Sequence, residues 1–122
     1  MKKNKAMQLV KALRSGEYHQ GKGQLVDDDD NFCCLGVACN ISKTDLQWEK
    51  ISGPLWVIGN ATITLPKKIR DEFGFCSLTG RRRDNKFLTI NNQQYLSLVI
   101  ANDQGCSFDQ IADYIEENWE AL

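Results

Sequence analysis

The 122-residue chain has no apolar run approaching the roughly 20 residues that a bilayer-spanning helix needs, which excludes a helical membrane protein. It has one histidine, His19, so no site that needs several imidazoles can form. It has no paired C-x2-C knuckles; Cys33, Cys34, Cys39, Cys76 and Cys106 offer only C-C-x4-C and two isolated thiols, which argues against structural zinc. An odd number of cysteines without a secretory signal argues for reduced thiols. No repeat, low-complexity stretch or linker divides the chain, and a single domain over residues 1–122 is expected. Net charge is also nearly lacking, at −1. A general nucleic-acid binder would be basic throughout, and a DNA mimic acidic throughout.

The small net charge hides strong segregation. Residues 1–26 carry six lysines and arginines against one glutamate, and residues 64–91 carry seven against three acids. Asp27 to Asp30 are four aspartates in a row, and residues 103–122 hold six acids and no base. The pattern predicts two faces of opposite sign. The basic N-terminus leads into an amphipathic stretch, Ala6 to Leu13, rather than an apolar signal core, so a cytosolic protein is expected.

Hydrophobic spacing predicts an α+β fold. Four or five helices should surround a buried central helix, with a short two- or three-stranded antiparallel sheet and a C-terminal helical hairpin. Ala6, Met7, Val10 and Leu13 mark a helix over 4–15, closed by Gly16. The run from Phe32 to Cys39 is apolar all round, as a central helix must be, with Asp30 or Asn31 suited to cap it. Gly59-Asn60 reads as a type II′ turn joining strands at 56–58 and 61–64. Pro66 opens a short helix that Gly74 closes, with Leu65, Ile69 and Phe73 inward. A loop follows over 77–92, with strand character at 86–90. A helix is expected over 93–102 with Tyr95, Leu96, Val99 and Ile100 inward. Ser107 and Gln110 form a capping box for a last helix, whose seam is Phe108, Ile111, Ala112, Ile115, Trp119 and Leu122.

The Asp27 to Asp30 run does not make an EF-type calcium loop, because Phe32 and Ala38 stand where Gly and Glu are required. A thiol nucleophile at Cys33 or Cys34 would need a base, and only His19 is available, with no third orienting group. Their place near a helix N-terminus favours thiolate, whereas the apolar run around them favours inert core thiols. The helix–Gly–helix at the C-terminus is not a DNA reader, because Asp109, Asp113, Glu116, Glu117 and Glu120 on its outer face would repel phosphate. That face is either solvated or docks on a basic protein. Arg81, Arg82, Arg83 and Lys86 form the most informative basic cluster, suited to phosphate or carboxylate. They read as an anion site extended by Arg14 and Tyr18, or as a solvated or internally paired loop. Gln20-Gly21-Lys22-Gly23 has no P-loop spacing.

Leu13-Arg14-Ser15-Gly16-Glu17-Tyr18 with Gln20-Gly21-Lys22-Gly23, then Phe32 to Cys39, Leu65-Pro66 with Ile69-Arg70, and Asn102 to Phe108 with Ile111-Ala112 occur in this order. Together they resemble a group of small proteins encoded by tailed bacteriophages and prophages. The triple arginine lies outside the matched segments. The resemblance implies a phage accessory protein acting in the host cytoplasm, where such proteins counter defence or redirect host enzymes. The leading expectation is a non-enzymatic protein that binds an anionic host factor, such as a nucleotide signal, through Arg81, Arg82, Arg83 and Lys86 with Arg14 and Tyr18. The second is an inhibitor that docks on a host enzyme through the acidic C-terminal helix. The third is a thiol-dependent enzyme. No cofactor or metal is expected, and the oligomeric state is left open.

Overall fold

A computed structural model describes residues 1–52 and 55–122. The fold is α+β, with five α-helices and three short two-stranded pairs among the described residues. Helix α1 spans Lys3–Arg14 and buries Ala6, Leu9, Val10 and Leu13. Strand β1 (His19–Gln20) runs parallel to β2 (Asn31–Phe32). Helix α2 (Cys34–Ile41) follows at once, with every residue from Cys34 to Cys39 buried. Strands β3 (Trp48–Ser52) and β4 (Leu55–Ile58) pair antiparallel. Helix α3 spans Lys67–Phe73, and Gly74 ends it in the left-handed region at φ 76°. Strands β5 (Leu88–Ile90) and β6 (Gln93–Tyr95) form a hairpin that leads into α4 (Leu98–Asp103) and α5 (Phe108–Asn118). None of the described helices is long and apolar enough to cross a membrane.

The central helix is held by one close backbone crossing. A Cβ added to Gly36 would lie 1.8 Å from the Leu25 carbonyl oxygen, so only glycine lets that strand of backbone lie on the helix. The same carbonyl accepts from the Cys33 N–H at 3.1 Å. Helix α1 packs along α5 and touches α2, which also touches α4. The capping box at the start of α5 is present as expected: the Gln110 N–H donates to Ser107 Oγ, and the Ser107 N–H to Gln110 Oε1.

Three local expectations are corrected. Helix α2 is not capped by Asp30 or Asn31. Asn31 and Phe32 are extended and paired to β1, and the cap is Cys33, whose sulfur accepts from the Gly36 N–H at 3.4 Å. Asp27 takes up the turn instead, its Oδ1 accepting from the N–H groups of Asp29 and Asn31 at 2.9 Å each. The strand over 56–58 pairs with β3 rather than with 61–64. Ile58 and Ala61 form only a bridge, and Gly59 (φ 55°) and Asn60 (φ 67°) are both left-handed, the geometry of a type I′ turn. Finally, Gln93 to Tyr95 are strand. The helix starts at Leu98, capped by Ser97, so Leu98, Ala101 and Asn102 point inward while Leu96 is exposed.

Candidate functional site

Four of the five cysteines are buried in the core, and Cys76 is half-exposed. Cys33, Cys34 and Cys39 are buried, and burial pushes the Cys33 thiol up to about 11 and raises the other two well above the usual thiol range. Such thiols carry their protons at neutral pH and are weak nucleophiles. His19 lies exposed in β1 and makes no side-chain hydrogen bond to a cysteine among the described residues. Nor do three or more metal-ligating side chains gather there.

The side chains of the predicted anion site are drawn to different partners. Arg14 turns to the acidic helix: Nη1 is 2.6 Å from Glu116 Oε2 and Nη2 is 2.5 Å from Asp113 Oδ1. Tyr18 accepts a hydrogen bond from Asn40 Nδ2 at 2.9 Å. Neither shares a hydrogen bond with the arginine loop among the described residues. Arg82 forks onto Asp84, with Nε and Nη2 at 3.0 and 2.7 Å from its two oxygens, and donates from Nη1 to the Tyr114 hydroxyl at 3.2 Å. The Arg82 guanidinium, with the Lys86 N–H, holds the Asp84 carboxyl well below the usual range. Arg83 donates to the Gly74 carbonyl at 2.8 Å. Only Arg81 and Lys86 of this loop leave their cationic groups exposed without a partner among the described residues. Asp109 and Glu117 on α5, and Glu120 in the 3-10 turn after it, are likewise exposed and unpaired among the described residues, while Asp113 and Glu116 belong to Arg14.

A different constellation does assemble. A cavity of about 280 Å³ is lined by Val26, Asp30, Phe32, Asn40, Trp48 and Trp56. The turn after Val26 supplies Asp30, β2 supplies Phe32, and the end of α2 supplies Asn40. Strands β3 and β4 supply the two tryptophans. Lys50 stands opposite Trp56 in the hairpin register, and Trp48, two residues before Lys50, shares its face. The rings meet edge to face, Tyr18 on Phe32 at 5.2 Å and Phe32 on Trp48 at 6.3 Å between centroids. The buried Trp56 Nε1 has no hydrogen-bond partner among the described residues. Lys50 Nζ sits 5.7 Å from the Trp56 ring centre and 2.7 Å from Asp28 Oδ1.

Sequence reasoning missed this pocket. Along the chain Phe32 falls in the apolar run expected as helix, Trp48 in no expected element, and Asp30 beside Asn31 at the expected cap.

The segments that carry the phage resemblance meet elsewhere. Asn102, fully buried, accepts at Oδ1 from Gln20 Nε2 (2.8 Å) and the Cys34 N–H (3.1 Å). Its Nδ2 donates to the Gly21 carbonyl (2.9 Å) and Asp103 Oδ1 (3.1 Å). Gln20 also donates to the Cys106 carbonyl at 2.7 Å and accepts from the Phe108 N–H at 3.2 Å. Every polar group of this clasp is satisfied within the protein, so these residues hold the fold together rather than offering themselves to a ligand.

No curated protein and no solved structure matches the chain. Residues 1–119 match the family model described as a domain of unknown function, DUF8296.

Proposed function

The chain belongs to the DUF8296 family, and we propose that it is a non-enzymatic binding protein whose ligand enters the aromatic pocket of Phe32, Trp48 and Trp56. The observation that carries this reading is the pocket itself. Three large rings from separate elements surround open space, beside the Asp30 carboxylate and the Asn40 amide, which line the same cavity. Apolar walls with a few polar atoms are the ordinary make-up of a recognition site. Protonated core thiols and a solitary histidine supply no nucleophile, which supports binding over a thiol enzyme. The phage-like segments support an accessory, anti-defence setting in the host cytoplasm.

A second reading keeps the anionic host factor, such as a nucleotide signal. It is favoured by Arg81 and Lys86, whose charges the fold leaves free among the described residues. Arg82 and Arg83 are held by internal contacts and contribute less to it.

Affinity capture from a bacterial lysate with three tagged chains separates the two readings: wild type, Trp48→Ala, and the double variant Arg81→Ala/Lys86→Ala. Circular dichroism establishes that each is folded. The pocket reading expects loss of the captured factor with Trp48→Ala alone. Loss with the arginine-loop variant alone transfers binding to that loop and refutes the pocket.

A further inference from the structure

We propose that the pocket seats an arginine side chain of a partner protein, a deeper reading that rests on the pocket being the binding site. Its walls are ring faces and edges, and its rim is acidic. Asp30 lines the cavity, and Asp28 and Asp29 stand exposed beside it on the same turn. With Asp28 paired to Lys50, a phosphate-bearing ligand would still meet the carboxylates of Asp29 and Asp30 there, whereas a cation is drawn in.

The protein already makes this interaction with itself. Lys50 places its ammonium 5.7 Å from the centre of the Trp56 ring while pairing with Asp28 at 2.7 Å. Ring and carboxylate together therefore hold a cation at the edge of the site. Lys50 comes from the strand opposite Trp56, on the face that carries Trp48. It occupies one ring and one acid of the constellation and leaves Trp48, Phe32 and Asp30 to an incoming group.

Arginine fits what is left better than lysine does. Its guanidinium is planar and weakly hydrated, so it stacks on an indole or phenyl ring at low desolvation cost. Its five N–H groups can reach two acceptors at once. Two are at the pocket: the Asp30 carboxylate and the Asn40 side-chain oxygen. The second is unused among the described residues because Asn40 engages Tyr18 through its nitrogen.

The probe is N-acetyl-arginine amide, titrated into the full chain at low salt. The readout is the indole N–H signals of Trp48, Trp56 and Trp119, with Trp119 as a reference outside the pocket. N-acetyl-norleucine amide and adenosine monophosphate serve as comparison ligands. The arginine probe should shift Trp48 and Trp56 saturably and bind at least fivefold more tightly than norleucine. Asp30→Asn should weaken it several-fold. Lys50→Gln should strengthen it several-fold by releasing Asp28 and the Trp56 ring, which no merely structural role for Lys50 would do. Norleucine binding as tightly as arginine, or the nucleotide binding in preference, overturns the arginine assignment and leaves the pocket a binding site. No shift with any of the three overturns the arginine assignment. If Trp48→Ala also retains the captured host factor, the pocket reading falls with it.

Discussion

Gln20 and Asn102, 82 residues apart in the chain, are joined side chain to side chain, Nε2 donating to Oδ1 at 2.8 Å. Asn102 is fully buried and uses both ends of its carboxamide, so it ties β1 and the start of α2 to α4, while Gln20 adds the turn before α5. Asn102→Ala leaves the Cys34 N–H and the Gly21 carbonyl without partners in the core. A loss of about 3 kcal/mol is expected, with the m-value unchanged, in urea unfolding. Gln20→Ala removes bonds nearer the surface and should cost about 1 kcal/mol. A smaller loss for Asn102→Ala than for Gln20→Ala would mean that the buried amide does not organise the clasp.

Gly36→Ala should be among the most damaging single substitutions in the chain. The new methyl would overlap the Leu25 carbonyl, and backbone cannot rotate away as a side chain can. Overpacking of this kind costs about 3 kcal/mol or more. Gly16→Ala meets no atom within 4 Å and suffers only from its φ of 78°, a cost of about 1 kcal/mol. The ranking of the two midpoints in thermal unfolding checks the claim, and an equal effect would contradict the close crossing.

Acid should unfold the protein partly through Glu72 and Asp27. Burial pushes the Glu72 carboxyl up, but hydrogen bonds from Ser42 Oγ (2.5 Å), the Lys43 N–H (2.9 Å) and Lys5 Nζ (2.9 Å) together hold it below its ordinary value. Asp27 is held low chiefly by the Asn31 N–H. A carboxyl with a folded-state pKa below its unfolded one adds stability that is complete above the unfolded value, about 4, and is lost as pH falls through the folded value. Stability should therefore be flat from neutral pH to about pH 5 and drop below that. Glu72→Gln should reduce that drop and cost about 2 kcal/mol at pH 7, because it also strips Lys5 of its partner. An unchanged acid slope in this variant would remove Glu72 from the account.

The five thiols should react in a fixed order. Cys76 is half-exposed, while Cys33, Cys34, Cys39 and Cys106 are buried. Iodoacetamide at neutral pH, followed by peptide mass spectrometry, should label Cys76 first, with the other four protected until the protein opens. Rapid labelling of Cys33 in the native state would contradict its burial and raised pKa, and would reopen thiol chemistry.

Much of the architecture was legible along the chain because it depends on neighbours three or four residues away. The amphipathic stripe of α1, the apolar run of α2, Pro66 and Gly74 around α3 and the capping box at Ser107 all act within one or two helical turns. The helix expected over 93–102 came out as strand for its first three residues. Asn91 and Asn92 both take left-handed φ and fold Gln93 to Tyr95 back onto β5, a tertiary pairing that overrides local helical spacing.

Charge and aromatic placement were not legible in this way. The basic and acidic segments were visible as composition. Which of them neutralise each other depends on α1 lying along α5, which brings Arg14 to Asp113 and Glu116, 99 and 102 residues away. Arg82 and Arg83 were consumed by equally specific contacts, leaving Arg81 and Lys86 of the expected cluster. The pocket had no linear signature at all. Phe32, Trp48 and Trp56 become one wall only when β2, β3 and β4 take their positions, because a cavity is a property of surfaces packed in three dimensions and not of spacing along a strand.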